Sequence, residues 1–183
     1  NFRRIAPGTF PLKPSQKVNF DDQMAELIAM RDEGLIGAIG LSSVSLAELK
    51  KAIPAKIVCV QNLYNLTSRR QESILELCKK EGIAWVPFFP LGGGLPGSAK
   101  VTANSVVQEI AQEMEISPVQ VGLAWLLQHS KNTLIIPGTT SIAHLEQNVA
   151  VGNINFSEQT MKRLDAVKAP KGIGSIMSRF LSR

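Results

Sequence analysis

Short apolar runs alternate with helical patterns along this chain. Four runs are apolar at consecutive positions rather than at every second one, and they cover residues 35–41, 57–60, 83–89 and 133–136. Runs of this kind are typical of strands that are covered on both faces of a parallel sheet. The pattern therefore predicts parallel strands near residues 36–42, 57–61, 84–89 and 133–137.

Helical patterns with recognisable ends separate the runs. Residues 21–33 place apolar positions at helical spacing and stop at Gly34, and residues 119–129 are apolar almost all round, which predicts a buried helix. Further helix starts are predicted at Ser45 with Glu48, Ser68 with Gln71, Ser117 with Pro118, Ser141 and Ser157. Strands that alternate with helices predict the α/β class, with a single domain over residues 1–183.

Composition and charge narrow the possible functions. Hydrophobic residues make up 44% of the chain and charged residues 19%, which excludes the disordered class. No apolar run approaches the ~18 residues of a membrane-spanning helix, so no membrane partner is expected. The net charge of +5 is carried by residues 162–183. The other residues, 1–161, balance to zero, and the chain ends in a basic tail, residues 169–183. Basic residues at the end of a neutral body argue against nucleic-acid binding and favour a solvated tail; contact with an anionic ligand is the alternative.

The cysteines and histidines suggest no metal chemistry. Cys59 and Cys78 fall in apolar surroundings, so buried, reduced thiols and a cytoplasmic location are expected. The two histidines, His129 and His144, lie too far from them in sequence to suggest a zinc site. Asn1 is not a translation start, and the chain is therefore expected to be processed or a fragment.

The residues that follow the four runs share a neutral, polar character. They are Ser42-Ser43, Gln61-Asn62, the PLGGG segment 90–94 and the PGTTS segment 137–141. In parallel α/β folds the ligand lies at the carboxyl ends of the strands. Hydroxyls and carboxamides can hold a ligand carboxamide, and glycine loops and helix starts offer N–H groups to phosphates. Each segment alone could serve only a turn or a cap; their repetition predicts a binding site without proton-transfer groups.

The same residues carry a resemblance to a known family. The chain contains, in order, GLIGAIGLSSVS, VCVQNLYN, IAWVPFFPLGGG, VGLAWLLQHS and IIPGTTSIAHLEQN. These motifs, over about residues 20–168, resemble those of aldo-keto reductases. The resemblance implies a (β/α)8 TIM-type barrel that binds NADP(H), with NAD(H) as a possibility, and the chain resembles strands five to eight of it. Strand four would then begin at residues 1–3.

The resemblance also implies cofactor contacts. Ser42 and Gln61 match residues that hold the nicotinamide carboxamide, and Ser43 stands where the family usually has Asn. Phe88 matches an aromatic residue that stacks on the nicotinamide, and it is followed by Phe89, where Ser is common. The other implied contacts are Leu91 and Gly92 at the pyrophosphate, Gly138, Thr139, Thr140 and His144 around the 2′-phosphate, and Gln147 and Asn148 at the adenine. Since Gly138 and His144 replace cationic residues, reduced discrimination between NADPH and NADH is expected.

The family's proton-transfer residues are expected to be missing. Its Asp, Tyr and Lys lie on the first strands, ahead of this chain, and its active-site His ends strand four, where Arg3 stands here. Tyr64 belongs to the QNLYN motif and is not expected to replace the catalytic tyrosine. A whole barrel needs more than ~200 residues. The chain is thus predicted to be the cofactor-binding half of an oxidoreductase acting on a carbonyl or alcohol, with the N-terminal half of the barrel as its partner.

Two other functions remain open from the sequence. A non-catalytic NADP(H)-binding regulatory subunit would also lack the proton donors, and another phosphate-binding barrel enzyme is favoured only by the GTTS turn. Half a barrel should expose the outer edges of the runs 35–41 and 133–136 and part of its core. The isolated chain is therefore expected to self-associate or to remain partly molten.

Overall fold

A computed structural model of the protein describes residues 2–3, 18–93 and 99–168. Four short strands alternate with helices: β1 Phe2–Arg3, α1 Phe20–Asp32, β2 Gly40–Ser42, α2 Leu46–Ala52, β3 Cys59–Gln61, α3 Glu72–Lys80 and β4 Ala84–Trp85. Four helices follow, α4 Ser105–Glu113, α5 Pro118–His129, α6 Ile142–Ala150 and α7 Glu158–Asp165. The basic tail 169–183 and Gly94 lie outside the described residues.

The four strands form one parallel sheet in the order β1-β2-β3-β4. The predicted α/β class and parallel pairing are confirmed. The predicted open edge at residues 35–41 is wrong, because β1 pairs with β2 through Phe2–Leu41 and Arg3–Ser42. The register thus places Arg3 beside Ser42, and its equivalence with the family's histidine stays a prediction.

The predicted strand 133–137 is reduced to a single parallel bridge between Trp85 and Thr133. The N–H of Trp85 donates to the carbonyl of Asn132 over 2.8 Å, and the N–H of Leu134 donates to the carbonyl of Trp85 over 2.8 Å. The next donor on this side of β4 would be residue 87. Pro87 has no N–H, so the ladder ends there.

The two faces of the sheet differ in burial. Leu41, Val60 and Trp85 share one register row and have no exposed surface, since the helices cover this face. The opposite face carries Cys59, Gln61 and Ala84, which are partly exposed, beside Gly40 and Ser42, which are buried. Cys59 is therefore not buried as predicted, whereas Cys78 on α3 is, and burial raises the pKa of the Cys78 thiol to about 12.

Helix starts follow the predicted caps with one exception. Ser45, Ser117, Ser141 and Ser157 each accept a hydrogen bond from the first turn of their helix, and the first two complete capping boxes. The capping box predicted at Ser68 is wrong. Ser68 instead exchanges backbone hydrogen bonds with Asn65, and this small antiparallel bridge delays the start of α3 to Glu72.

The core lies between the sheet and its helices. As predicted, α5 is the most buried helix, with Val121, Leu123, Ala124, Trp125 and Leu126 almost fully enclosed. By contrast, none of the side chains of α6 is buried, and the large apolar residues Ile142, Leu145 and Val149 face outward. Within the described part of the chain, no helix is both long and apolar enough to cross a bilayer.

Candidate functional site

Ser42 and Gln61 lie side by side at the carboxyl ends of β2 and β3, in direct register. Adjacent residues in register project from the same face of a sheet, so the hydroxyl and the carboxamide are neighbours. Ser42 is only 3% exposed and Gln61 is partly buried. Among the described residues, no hydrogen bond engages either side chain. Their donors and acceptors therefore remain available, which fits a ligand that carries a carboxamide.

Ser43 turns the chain away immediately after this pair. Its N–H donates to the carbonyl of Gln61 over 2.9 Å, the last rung between the two segments. Its φ is +58°, in the left-handed region that Asn tolerates better than Ser. The Asn that the resemblance implies at this position would thus suit the backbone better than Ser.

Phe88 follows β4 and extends the pairing with the segment after β3. Its N–H donates to the carbonyl of Asn62 over 3.0 Å, and it bridges to Leu63. The Phe88 and Phe89 rings meet edge to face, with centroids 5.6 Å apart. Phe88 is partly buried and Phe89 is exposed.

The glycine-rich loop after β4 is tightly anchored. Gly92 has φ +68°, and a Cβ there would lie 2.1 Å from the carbonyl oxygen of Ala99, so only glycine fits. The carbonyl of Leu91 accepts from the N–H of Val101 over 2.9 Å. The side chain of Leu91 in turn packs on Gly122 of α5, where a Cβ would approach Leu91 Cδ2 to 2.9 Å. Leu91 and Gly92 are thus fixed against Val101 and the buried helix.

A second group of predicted residues surrounds the start of α6. Gly138, Thr139 and Thr140 are exposed, and the Thr139 hydroxyl accepts a 3.1 Å hydrogen bond from the N–H of Ser141. On α6 itself His144 and Gln147 are exposed and Asn148 is partly buried. The carbonyl of Gln147 accepts from Gln120 Nε2 over 3.3 Å, which joins α6 to α5. This group follows the Thr133 segment, so β4 and its loop separate it from the Ser42–Gln61 pair.

The structure adds a part-buried network that the sequence did not predict. Glu72 accepts a 2.6 Å bond from the Tyr64 hydroxyl and lies 2.8 Å from His129 Nε2. Asp165 accepts from Trp125 Nε1 over 2.9 Å and lies 3.4 Å from His129 Nδ1. The network joins the loop after β3 to α5 and α7. The QNLYN motif contains Tyr64 and the VGLAWLLQHS motif contains Trp125 and His129, whereas Glu72 and Asp165 lie outside both motifs.

Tyr64 stands at one end of this network and is 1% exposed. Burial, followed by the hydrogen bond to Glu72, raises the pKa of its phenol well above the ordinary range. The phenol donates to Glu72; that Tyr64 does not replace the catalytic tyrosine stays a prediction. In the described ranges, no cluster of three or more His, Cys, Asp or Glu side chains is arranged to hold a metal ion.

Comparison with known proteins assigns the family. The family model described as "Aldo/keto reductase family" matches residues 9–169. The chain belongs to the aldo/keto reductase family. The sequence resemblance is therefore confirmed over most of the chain.

Individual relatives agree with this assignment. Pyridoxine 4-dehydrogenase of Escherichia coli K12 is 41% identical over 152 residues, covering 81% of this chain and 51% of the relative. A solved thermostable aldo-keto reductase bound to the inhibitor epalrestat is 30% identical, with a TM-score of 0.72 over 84% of this chain and 56% of that one. A Klebsiella pneumoniae aldo/keto reductase, solved with NADP and acetate, is 25% identical, with a TM-score of 0.71 over 81% and 54%.

This aldo/keto reductase chain spans about half the length of the relatives that it matches. The solved relatives have the (β/α)8 barrel fold, and the parallel sheet with helices on one face agrees with that architecture. The predicted oxidoreductase class is confirmed at the level of the family.

Proposed function

We propose that this chain is the cofactor-binding half, strands five to eight, of an NADP(H)-dependent aldo/keto reductase. The observation that carries the proposal is the Ser42–Gln61 pair, in register at two strand ends and without other hydrogen bonds among the described residues. The Klebsiella relative solved with NADP supports the choice of cofactor. The substrate would be an aldehyde, a ketone or the corresponding alcohol, as the dehydrogenase relative suggests.

The chain's own residues would hold the two ends of the cofactor. Ser42, Gln61 and, through a shorter side chain, Ser43 would bind the nicotinamide carboxamide, with Phe88 against the ring. Leu91 and Gly92 would cover the pyrophosphate. The residues around the start of α6 would take the 2′-phosphate and adenine: Gly138, Thr139, Thr140, His144, Gln147 and Asn148. The bound cofactor would supply the hydride.

Discrimination for NADPH over NADH would be modest in this chain. Gly138 carries no side chain, and His144 is an exposed imidazole on α6 rather than a guanidinium that could bind a phosphate bidentately. NAD(H) therefore stays a possible second cofactor. The exposed N-terminal end of α6 still offers N–H groups to a phosphate.

The proton-transfer residues would come from the other half of the barrel. The only tyrosine of this chain is buried and bonded to Glu72, so a separate acid is needed to protonate the alkoxide that hydride transfer forms. The surface supports such a partner: Leu134, Ile136, Ile142, Leu145 and Val149 are all more than half exposed. The relatives are about twice as long as the aligned part of this chain.

Titration and complementation test the proposal together. The 183-residue chain should bind NADP+ in calorimetry but should not oxidise NADPH with a simple aldehyde. Adding the half of the E. coli relative that this chain does not match should restore aldehyde-dependent NADPH oxidation. Binding without restored turnover would favour the alternative, a non-catalytic NADP(H)-binding subunit. No binding in either preparation would contradict both.

A further inference from the structure

The QNLYN motif, residues 61–65, directs its polar side chains to different neighbours. Gln61 lies on the open face of the sheet, whereas Asn62 is 1% exposed and reaches back to the segment after β2. Tyr64 binds Glu72 on α3, and Asn65 Nδ2 donates to the carbonyl of Phe89 over 2.9 Å. Only Gln61 of these is placed for a ligand, so the motif's other polar residues must act on the protein itself.

Asn62 is fully engaged by one residue, Val44. Its Oδ1 accepts from the N–H of Val44 over 3.1 Å, and its Nδ2 donates to the carbonyl of Val44 over 2.7 Å. The carboxamide thus satisfies both main-chain groups of a residue that is itself 2% exposed. A buried N–H and C=O without partners would be costly, so this pair of hydrogen bonds fixes where Val44 lies.

The contact continues the β2–β3 pairing beyond its last backbone rung. That rung runs from the N–H of Ser43 to the carbonyl of Gln61. Ser43 then adopts its left-handed conformation, which would end the pairing, but the Asn62 side chain holds the next residue in place. The end of β2 that carries Ser42 is therefore held against the end of β3 that carries Gln61, although the backbone pairing has stopped.

We infer that Asn62 is a positioning residue for the nicotinamide end of the cofactor site. The inference rests on the proposed function. Asn62 does not touch the ligand, because it is 1% exposed, projects to the opposite face from Gln61 and bonds Val44. It acts through the backbone, by holding the strand end that carries Ser42 and Ser43 against the strand end that carries Gln61. Its effect should therefore be confined to the carboxamide end and should not reach the phosphate and adenine contacts near α6.

The positioning role of Asn62 can be tested with two ligands, one with and one without the nicotinamide, and with a variant of Asn62 and a control variant. Calorimetry on the full chain would compare NADP+ with 2′-phospho-ADP-ribose, which lacks the nicotinamide. Asn62→Leu keeps the volume but removes both hydrogen bonds. We expect NADP+ to bind about tenfold more weakly to this variant, with the affinity for 2′-phospho-ADP-ribose changed less than about twofold.

Asn132→Leu is the control variant. Asn132 also bridges main chain and side chain, donating to the carbonyl of Ile83 over 2.9 Å and accepting from Ser130 Oγ over 2.6 Å. It lies at the amino end of β4, the opposite edge of the sheet from the candidate site. We expect it to lower stability without changing the ratio of the two affinities.

The outcomes separate the inference from the proposed function. If the unmodified chain binds both ligands and Asn62→Leu weakens both equally, or neither, the positioning role is overturned while the cofactor site stands. The positioning role would also be overturned if Asn132→Leu changed the ratio of the affinities for NADP+ and 2′-phospho-ADP-ribose as much as Asn62→Leu does. The effect would then follow from any loss of a hydrogen-bonded carboxamide. If the unmodified chain binds neither ligand, the proposed function fails and the inference fails with it.

Discussion

The hydroxyl of Tyr64 donates a 2.6 Å hydrogen bond to Glu72 Oε2, and the Tyr64 ring lies between two tryptophans. The ring meets Trp85 edge to face at 5.7 Å and stacks on Trp125 at 6.0 Å. Glu72 opens α3, so the contact joins the loop after β3 to the first turn of the following helix. The site strand and its helix are thereby tied by one buried phenol.

Removing this hydroxyl should destabilise the fold measurably. A hydrogen bond to a charged acceptor contributes about 1.5–3 kcal/mol, so Tyr64→Phe should lower the free energy of unfolding by about 2 kcal/mol in urea titrations. Glu72→Gln keeps an acceptor oxygen and should lose less. A Tyr64→Phe variant as stable as the unmodified chain would mean that solvation of Glu72 replaces the bond without loss.

Stability should fall as the pH rises above about 10. An unfolded tyrosine loses its proton near pH 10, whereas burial and Glu72 raise the pKa of Tyr64 far above that value in the fold. Above pH 10 the unfolded chain therefore binds fewer protons than the folded chain, and unfolding becomes easier. Thermal melts from pH 8 to 11 should show this decline. Cys78 adds to it from about pH 8.5, so a flatter decline in Tyr64→Phe isolates the tyrosine.

The left-handed backbone at Ser43 should make glycine the more stable residue there. The left-handed conformation costs a non-glycine residue about 1–2 kcal/mol. Glycine avoids this cost, but it loses more conformational entropy on folding, which offsets about 0.5–1 kcal/mol of the gain. Ser43→Gly should therefore raise the free energy of unfolding by about 0.5–1 kcal/mol. Ser73→Gly, on the exposed face of α3, should lower it by a similar amount. Equal losses in both variants would rule out strain at Ser43.

Gly92 should not tolerate a side chain. A methyl group there would lie 2.1 Å from a backbone oxygen and would occupy φ +68°, so Gly92→Ala should cost about 2–4 kcal/mol and weaken NADP+ binding. A Cβ at Gly37 would meet no other atom within 4 Å, and Gly37→Ala should stay within about 0.5 kcal/mol. Urea titration of the two variants measures the contrast. A loss of less than about 1 kcal/mol in Gly92→Ala would show that the backbone around Gly92 can move.

The isolated chain should self-associate through α6. Ile142, Leu145 and Val149 form an exposed apolar stripe on this helix, so Leu145→Lys with Val149→Lys should lower the scattering mass toward that of a monomer. Ser73→Lys with Gln159→Lys adds the same charge at exposed polar positions. If that control reduces association equally, general charge repulsion and not the stripe is responsible.

Local sequence signals predicted what depends on local structure. The caps at Ser45 and Ser117 are confirmed because a cap needs only the next three residues. Ser68 has the same signal, but Asn65 binds its backbone first and forms a bridge instead. A capping signal of two residues does not show whether the serine will bond the helix that follows it or the residues that precede it.

The candidate site was predictable as a set of strand ends but not as a geometry. The neutral polar residues after each run indicated Ser42 and Gln61, and the register confirms that they are neighbours. The bond that holds them could not be read from the sequence, because Asn62 and Val44 are 18 residues apart. The same is true of the neighbouring network, in which His129 and Glu72 are 57 residues apart. Such contacts follow from the folded topology.

The missing N–H of Pro87 also affects how easily the neighbouring backbone hydrogen bonds open. The Thr133 segment is joined to β4 by two hydrogen bonds, so the stretch from Leu134 to the start of α6 should have the lowest protection against hydrogen exchange among the strand segments. Thr139 and its neighbours continue directly from that stretch. A nucleotide held there would add protection where the ladder gives none, so its binding would be seen as slowed amide exchange between Leu134 and the start of α6.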